Sequence, residues 1–313
     1  MQLSIVMPMY NAAKYLKRCL ESISISLETA GVNGEIILVD NGSIDGSKEL
    51  ANRMVDIFAN KTLALRVVEC QTPGAGAARN CGLLQAQSEF VWFIDADDTI
   101  APDAVKKLIA AAKDADLVMM GAERVYQDGH RDYLSAVMPG PGCESRFVRY
   151  GMGPWQVMFR RSWWLENGFL FREKVIHEDM ELMSALILCA DERYAAVDEP
   201  LYFYYQTPDS VLHRRSWSEH AYDIFPALEG LYERFRALGA EKRYRNELEW
   251  FFIWNLLIDS AKDFVAFPEG RAGFARSREM LSKYFPRWRK NRFLREKPIR
   301  LRLRVMRNYY RNK

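Results

Sequence analysis

The sequence has few cysteines, and they form neither a disulfide framework nor a zinc-binding pattern. Five cysteines, an odd number, are scattered along 313 residues without a CxxC pair. Disulfide-stapled domains and zinc modules carry their cysteines at short, regular spacings. We therefore expect small buried thiols in a reducing compartment, which favours a cytoplasmic protein.

The sequence also lacks an apolar run that could span a bilayer. Its longest apolar stretch, residues 250–258, is interrupted by Asn255, whereas a membrane helix needs about 20 predominantly apolar residues. The first residues show no leader pattern, because they run directly into a short apolar strand that contains Pro8. A buried helix is the better interpretation of residues 250–258.

Acidic residues are scarce in residues 271–313, which carry 16 Lys and Arg but only two acids. The first 270 residues hold 28 basic and 39 acidic groups. Their net charge is therefore −11, whereas that of residues 271–313 is +14. Helical winding after Pro298 places basic residues on one stripe and apolar residues beside it. The basic stripe consists of Arg300, Arg304, Arg307 and Arg311. The apolar stripe consists of Ile299, Leu303, Met306 and Tyr310, and it is widened by Leu301, Val305 and Tyr309. Aromatics suited to a bilayer interface are Trp288, Phe293, Tyr309 and Tyr310.

This layout is typical of a basic amphipathic helix at an anionic membrane surface. We therefore expect residues 291–313 to make the protein peripheral on the inner face of the membrane. Packing of the same helix on the acidic body is one alternative, and a strand over residues 299–305, where apolar and basic residues alternate, is another.

Short apolar runs alternate with helix-patterned segments over the first 120 residues. The runs are residues 3–7, 35–39, 65–68, 90–94 and 117–120. The helical segments lie near residues 12–29, 46–59, 75–87 and 102–114. Fully apolar runs in this arrangement predict parallel strands covered on both faces, which is a Rossmann-like α/β fold.

The pattern changes after residue 120. Residues 124–133, centred on Asp128 and Gly129, predict a hairpin. An aromatic-rich segment, a helix near 179–190 and a strand at 201–205 follow, and the chain beyond 216 is mostly helical in pattern. We therefore divide the chain into residues 1–120, 121–215 and 216–313, the last a basic helical extension.

Polar turns follow three of the predicted strands at one edge of the sheet, where open parallel sheets bind ligands. They are residues 8–11, 40–43 and 95–98. Asp95 and Asp97 can hold one divalent cation and hydrogen-bond a ribose, because Mg²⁺ prefers one or two protein carboxylates beside phosphate oxygens. A solvated turn that caps the next helix is the alternative.

Two further side chains are candidates at this edge. Asp40 can accept a hydrogen bond from a pyrimidine imide N–H, and Ser43, Asp45 and Ser47 are better placed for the alternative role of helix cap. Arg79 can reach a diphosphate or pair with a surface acid.

A second acidic cluster, Glu178 and Asp179 after His177, opens an apolar helix. Acids in a first helical turn are expected from the dipole alone. The two carboxylates cannot point the same way, so at most one can act as a general base.

Four segments stand in the order and spacing of a known set of motifs. They are residues 4–11, 39–47, 76–82 and 93–98. Together they resemble the family 2 inverting glycosyltransferases of the GT-A fold, and residues 177–179 are similar to that family's ED motif. The resemblance extends over 1–120 and 150–210 and is absent beyond about 215.

The resemblance implies a metal-dependent enzyme that transfers a hexosyl or N-acetylhexosaminyl group, with inversion, from a nucleotide-diphosphate donor such as a UDP-sugar. The acceptor would be a hydroxyl of a cell-surface polysaccharide or lipid-linked glycan. Residues 1–120 would be the nucleotide-sugar-binding half and residues 121–215 the acceptor-binding half. Pro8, Tyr10 and Asp40 would surround the base, while Asp95 and Asp97 would contact ribose and a Mn²⁺ or Mg²⁺ ion.

The resemblance also implies that Asp179 is the base and that Asp98 is a further candidate metal ligand. His213 is another candidate metal ligand. It follows a segment with a weaker resemblance to the family, in which Gln206 stands where the family usually has Arg. Asn41 stands where the family often has a second Asp, which puts a charge role there in doubt.

Three other classes fit less well. A nucleotidyltransferase would place a Gly-rich basic loop at residues 8–11. An inactive nucleotide-sugar-binding scaffold would not need Asp40, Asp95, Asp97 and Asp179 intact. A nucleic-acid binder is disfavoured by the acidic body, so we expect no nucleic-acid partner.

Overall fold

The computed structural model describes residues 2–58, 63–206, 219–296 and 299–310. The chain divides into a sheet unit and a helical unit. The sheet unit comprises residues 1–143, 152–174 and 186–210, and the helical unit comprises residues 144–151, 175–185 and 211–313. The three-part division suggested by the sequence stays a prediction.

Within the described residues, the sheet unit is built on a nine-stranded sheet. Its strands are β1 (Leu3–Met9), β2 (Gly34–Asp40), β3 (Leu63–Glu69), β4 (Phe90–Phe93), β5 (Thr99–Ile100), β6 (Leu117–Val125), β7 (Arg131–Leu134), β8 (Val157–Arg160) and β9 (Tyr194–Tyr205). They are ordered β3-β2-β1-β4-β8-β6-β9-β5, with β7 beside β6. The first four strands are parallel, which confirms the predicted Rossmann-like α/β fold.

Residues 117–120 form the further parallel strand that we expected, because β8 is antiparallel to both β4 and β6, so β6 runs in the direction of β4. The sheet departs from the prediction at β8, an antiparallel strand that lies between them and comes from a segment in which we predicted no strand. The predicted hairpin is confirmed, because β6 and β7 pair antiparallel around Gly129, which has a φ of 84°.

Helices cover both faces of the parallel strands. Helices α1 (Leu16–Ala30), α2 (Ser47–Phe58) and α4 (Ala104–Ala111) share one hydrophobic core with β1 and β2. Ile5, Ile36, Leu20 and Val105 are buried together in that core. Full burial of such a side chain contributes about 1.5–3 kcal/mol to folding.

Helix α3 (Ala75–Gln85) packs against β1 and β2 at very short range. A Cβ atom at Gly82 would lie 2.3 Å from Cγ1 of Val6 and 2.9 Å from Cγ2 of Val39. At the other end of the helix, the Gly74 N–H donates to Oδ1 of Asn41 at 2.7 Å. The small residues of α3 thus place its first turn at the carboxyl edge of the sheet.

Two more helices, α6 (Arg161–Glu166) and α8 (Leu186–Cys189), lie in the sheet unit. The remaining helices are α5 (Cys143–Tyr150), α7 (Met180–Met183), α9 (Ile224–Ala237), α10 (Arg245–Trp254), α11 (Ala261–Ala266), α12 (Arg271–Tyr284), α13 (Arg292–Glu296) and α14 (Ile299–Tyr310), with a π-helical turn at Asn255–Asp259. The predicted helix near 179–190 is therefore wrong in extent, because it is split into the single turns α7 and α8. The predicted helical C-terminal region is confirmed.

The C-terminal arm packs within the helical unit. Trp288 and Phe293, which we expected at a bilayer interface, are buried, as is Val305. Nδ2 of Asn308 donates to the carbonyl of Leu257 at 2.7 Å, where the π-helical turn interrupts the regular hydrogen-bond ladder. Part of the apolar side of α14 is thus used for packing, and binding of this helix to a membrane surface stays a prediction.

The basic stripe of α14 is exposed at Arg300, Arg304 and Arg307, while Pro298 and Arg311 lie outside the described residues. Among the described helices, none combines the length and apolar character needed to cross a membrane.

Gly82→Ala should lower the free energy of unfolding by about 1–3 kcal/mol, because the added methyl group must displace Val6 or Val39. Urea unfolding monitored by circular dichroism measures this loss. Leu84→Ala on the same helix is the matched control, because Leu84 is 65% exposed. Its effect should stay within about 0.5 kcal/mol. Equal unfolding free energies for the two variants would contradict the close packing of α3.

Candidate functional site

An opening lies at the carboxyl edge of the sheet beside β1. Strand β4 stops at Phe93, while β1 continues to Met9. The Val6 carbonyl accepts the Ile94 N–H at 3.1 Å, so the backbone of Val6 faces β4. Pro8 is two residues further along β1 and faces the same side, beyond the point where β4 ends. Proline has no N–H and fits where no neighbouring strand needs a donor. The strand order reverses between β1 and β4, which is where α/β sheets bind ligands.

The loops after β1 and β2 are hydrogen-bonded to each other. Asn11, which has a φ of 52°, donates its N–H to Oγ of Ser43 at 3.1 Å and accepts the Ile44 N–H at 2.9 Å. Oγ of Ser47 accepts the Ala12 N–H at 2.8 Å. These contacts fix the position of one loop relative to the other.

Asp40 and Tyr10 lie at this pair of loops. Asp40 is register partner to Met9, and Tyr10 follows Met9 directly. The Asp40 carboxylate is buried and accepts the Ser43 N–H at 3.3 Å, whereas Tyr10 is 63% exposed. The two residues offer a hydrogen-bond acceptor and an exposed aromatic ring, which are groups that can bind a planar base.

Asn41 has a structural role that explains its departure from the family pattern. Its Nδ2 donates to the carbonyls of Cys70 at 3.0 Å and Thr72 at 2.7 Å, while its Oδ1 accepts the Gly74 N–H. A carboxylate at this position could donate neither bond. Asn41 therefore orders the loop that leads into α3.

The acidic turn at residues 95–98 is held by β9. The Asp95 N–H donates to the hydroxyl oxygen of Tyr202 at 3.1 Å, and that hydroxyl donates to Oδ2 of Asp98 at 2.6 Å. The Tyr205 N–H donates to Oδ1 of Asp98 at 2.8 Å. Both carboxylate oxygens of Asp98 are therefore engaged inside the protein.

Asp98 does not fit the predicted role of metal ligand in this structure, because it is fully buried and hydrogen-bonded on both oxygens. Burial raises the pKa of its carboxyl group well above the ordinary value. The nearby Asp97 and Asp95 charges add to this pKa shift, and the hydrogen bond from Tyr202 opposes it. Asp98 instead anchors the turn that carries the other two acids.

Asp95 and Asp97 are the partly exposed acids of the turn. Arg79, which we expected to reach a diphosphate or a surface acid, is buried and donates to Oδ1 of Asp95 at 2.9 Å. Arg18 donates to the Asp97 carbonyl at 2.7 Å, and its guanidinium lies 3.8 Å from the centroid of the Tyr205 ring. Arginines thus orient both residues of the pair.

The chemistry of this pair fits a Mg²⁺ or Mn²⁺ ion that takes one or two protein carboxylates and completes its shell with a diphosphate. Among the described residues there is no group of three or more His, Cys, Asp and Glu that could hold a metal without a substrate. His213 lies outside the described residues.

Asp179 immediately precedes α7 in the helical unit, where its carbonyl accepts the Met183 N–H at 2.8 Å. Glu178 and Asp179 are half-buried. Burial lowers the pKa of His177, although four nearby acids oppose this effect. His177 has a φ of 73°, so the chain turns sharply just before Glu178 and Asp179.

Tyr202 and Arg18 are site residues that the sequence did not predict. Tyr202 was part of a predicted strand, and its ring stacks on Trp155 with centroids 4.6 Å apart. No spacing in the sequence pairs Tyr202 with an acid more than 100 residues earlier. Only the fold of β9 against the turn brings them together.

Tyr202→Phe should destabilise the protein by about 1–3 kcal/mol, because it removes a donor to buried Asp98 and an acceptor for the Asp95 N–H. Calorimetric Tm should fall by several degrees, at about 2–4 °C per kcal/mol for a chain of this size class. Tyr232→Phe is the control, because the Tyr232 hydroxyl donates to Glu241, which is partly exposed, at 3.0 Å. A Tyr202→Phe Tm equal to that of the control would contradict the anchoring role.

Comparison with known proteins places this site in a family. A family model described as "Glycosyl transferase family 2" matches residues 4–168. The "uncharacterized glycosyltransferase EpsJ" of Bacillus subtilis (strain 168) is 26% identical over 261 residues, which cover 78% of this chain and 73% of EpsJ. The poly(ribitol-phosphate) β-N-acetylglucosaminyltransferase TarS of Staphylococcus aureus (strain Mu50) is 23% identical over 245 residues, or 77% of this chain and 40% of TarS.

Solved structures share the fold. The crystal structure of S. aureus TarS 1–349 in complex with UDP-GlcNAc has a TM-score of 0.69 at 19% identity, covering 99% of this chain and 89% of that one. The mannosyltransferase PcManGT from Pyrobaculum calidifontis, in complex with GDP-Man and Mn²⁺, has a TM-score of 0.50 at 18% identity, covering 100% and 88%. The family match spans more than half of the chain and contains all four motifs of the sheet edge. The chain therefore belongs to glycosyltransferase family 2 and is a glycosyltransferase with the GT-A fold.

Proposed function

We propose that this glycosyltransferase is a metal-dependent, inverting enzyme that uses a UDP-sugar. It transfers a hexosyl or N-acetylhexosaminyl group to a hydroxyl of a cell-surface polysaccharide or lipid-linked glycan. The observation that carries the proposal is the meeting of Tyr10, Asp40, Asp95 and Asp97 at one edge of the parallel sheet. UDP-GlcNAc in the TarS complex and the polymer in the name of TarS support this donor and acceptor class.

The donor side of the reaction is assigned to the sheet unit. Asp40 accepts the imide N–H of uracil, and Tyr10 offers its ring to the base. Asp95, oriented by Arg79, accepts a ribose hydroxyl, and Asp97 holds a Mn²⁺ or Mg²⁺ ion. When bound, this ion neutralises the charge that develops on the leaving diphosphate.

The acceptor side is assigned to Asp179. Attack by an acceptor hydroxyl forms a C–O bond at the anomeric carbon as the bond to UDP breaks. The hydroxyl proton passes to the Asp179 carboxylate, which acts as general base. The similarity of residues 177–179 to the family's ED motif supports this role.

A screen of UDP release tests the donor class. We expect wild-type protein with Mn²⁺ or Mg²⁺ to release UDP from at least one of UDP-GlcNAc, UDP-GalNAc, UDP-glucose and UDP-galactose. Asp97→Ala should lower the rate by about a hundredfold or more, because one charge stabiliser of the transition state is lost. Excess EDTA should have a similar effect on the wild type.

Asp114→Ala serves as the control for this screen, because Asp114 is an exposed acid beyond α4. Full turnover of Asp97→Ala in excess EDTA would contradict metal dependence. UDP binding by the wild type without release from any of the four donors would favour the inactive scaffold.

We also propose that the exposed arginines of α14 bring the enzyme to an anionic membrane surface, where a lipid-linked acceptor would lie. Arg300, Arg304 and Arg307 follow one another at helical spacing and are exposed. Because part of the apolar side of α14 packs within the helical unit, we assign the membrane contact to the charges of these arginines. Each Lys or Arg near an anionic leaflet contributes about 1 kcal/mol.

Replacing these three arginines by Glu should weaken binding to phosphatidylserine-containing liposomes by about a hundredfold or more, because about 3 kcal/mol of attraction is removed. Liposome flotation at low salt measures this change. The control replaces the exposed Arg53, Lys106 and Lys113 by Glu, which gives the same net charge. If both variants float like the wild type, or the wild type does not float, the membrane contact is contradicted.

A further inference from the structure

One helix of the C-terminal region holds the segment around Asp179 from both sides. On the amino-terminal side, the Ile176 N–H donates to Oδ2 of Asp223 at 3.0 Å. Asp223 immediately precedes α9, and the same oxygen lies 2.8 Å from Nδ1 of His220. The chain is therefore fixed three residues before Asp179.

On the carboxyl-terminal side, the contact is made by Glu181 in α7. Its Oε1 lies 3.5 Å from Nη2 of Arg234 on α9. A Cβ atom at Gly230 would lie 2.2 Å from Oε2 of Glu181 and 2.6 Å from its Cδ. The Glu181 carboxylate thus rests against bare helix backbone, and any side chain at Gly230 would displace it.

Two of the three contact residues, Gly230 and Arg234, lie in α9, and Asp223 directly precedes it. Asp223, Gly230 and Arg234 are spaced by seven and four residues, which places them on the same face of a helix. Helix α7 has only four residues. A single turn is not stable by itself, so its position depends on tertiary contacts.

We propose that Asp223, Gly230 and Arg234 are positioning residues that hold Asp179 for proton transfer. This inference rests on the proposed role of Asp179 as base. Helix α9 lies outside residues 4–168, the part of the chain that the family model matches. The helical C-terminal region thereby supplies support for the acceptor side of the reaction. Misplacement of a reacting group by about 1 Å can cost a hundredfold in rate, so small shifts of α7 should be measurable.

The test compares Gly230→Ala, Arg234→Gln and Arg234→Lys with a matched control on the same helix. The control is Arg236→Gln, because Arg236 forms an exposed ion pair with Glu233 at 2.9 Å within α9. UDP release is measured with the UDP-sugar that the wild type turns over among UDP-GlcNAc, UDP-GalNAc, UDP-glucose and UDP-galactose. Hydrogen exchange of the amides at 176–183 is measured in parallel and needs no donor.

Gly230→Ala and Arg234→Gln should lower kcat about tenfold or more, while KM for the donor and Kd for UDP stay within about twofold. The amides at 176–183 should exchange faster in both variants. Arg234→Lys should recover most of kcat, because an ammonium group can still reach Glu181. Arg236→Gln should behave like the wild type in both measurements.

Asp179→Asn is assayed beside these variants. It distinguishes a failure of the base assignment from a failure of the positioning role. If Asp179→Asn turns over like the wild type, the base assignment fails and this inference fails with it. If Asp179→Asn is inactive while Gly230→Ala and Arg234→Gln keep wild-type kcat and exchange, only the positioning role is overturned. A loss of kcat matched by an equal loss of UDP affinity would also overturn it, because it would indicate general disruption.

Discussion

The candidate donor site depends on the hydrogen bonds that the buried carboxylate of Asp98 accepts. This carboxylate accepts the Tyr202 hydroxyl and the Tyr205 N–H, and so ties the turn after β4 to β9, more than 100 residues later in the chain. A buried carboxylate without donors would cost several kcal/mol, so turn and strand must form together. Asp95 and Asp97 owe their fixed positions to this contact.

Much of the fold and part of the site could be predicted from the sequence, because parallel strands and their polar turns leave local patterns. The apolar runs predicted the first four strands. The rule that open sheets bind ligands at the carboxyl ends of their strands predicted that Asp40 and the acidic turn lie at the same edge. Asp98 could not be told from its neighbours, because adjacent acids in a motif look equivalent until one is buried. Arg79 was ambiguous for the same reason, since its partner Asp95 is set by tertiary packing. The antiparallel β8 was missed because it is a strand of four residues within a segment whose sequence is marked only by its aromatic residues.

The C-terminal region changes how a charged tail is interpreted. Its composition indicates a basic arm, but buried Trp288 and Val305 show that the arm is also part of a packed helical unit. Among its described residues, Arg300, Arg304 and Arg307 form an exposed stripe. The same unit contains Asp179, so the general base that we propose lies beyond the part of the chain that the family model matches.

A crystal structure of the protein with UDP and Mn²⁺ tests the central claim most directly. We expect Mn²⁺ within about 2.3 Å of an Asp97 carboxylate oxygen and a diphosphate oxygen, with the uracil imide N–H donating to Asp40. Asp98 should keep its hydrogen bonds to Tyr202 and Tyr205. Mn²⁺ bound to Asp98 with Tyr202 displaced, or UDP bound away from the carboxyl ends of β1, β2 and β4, would contradict the account.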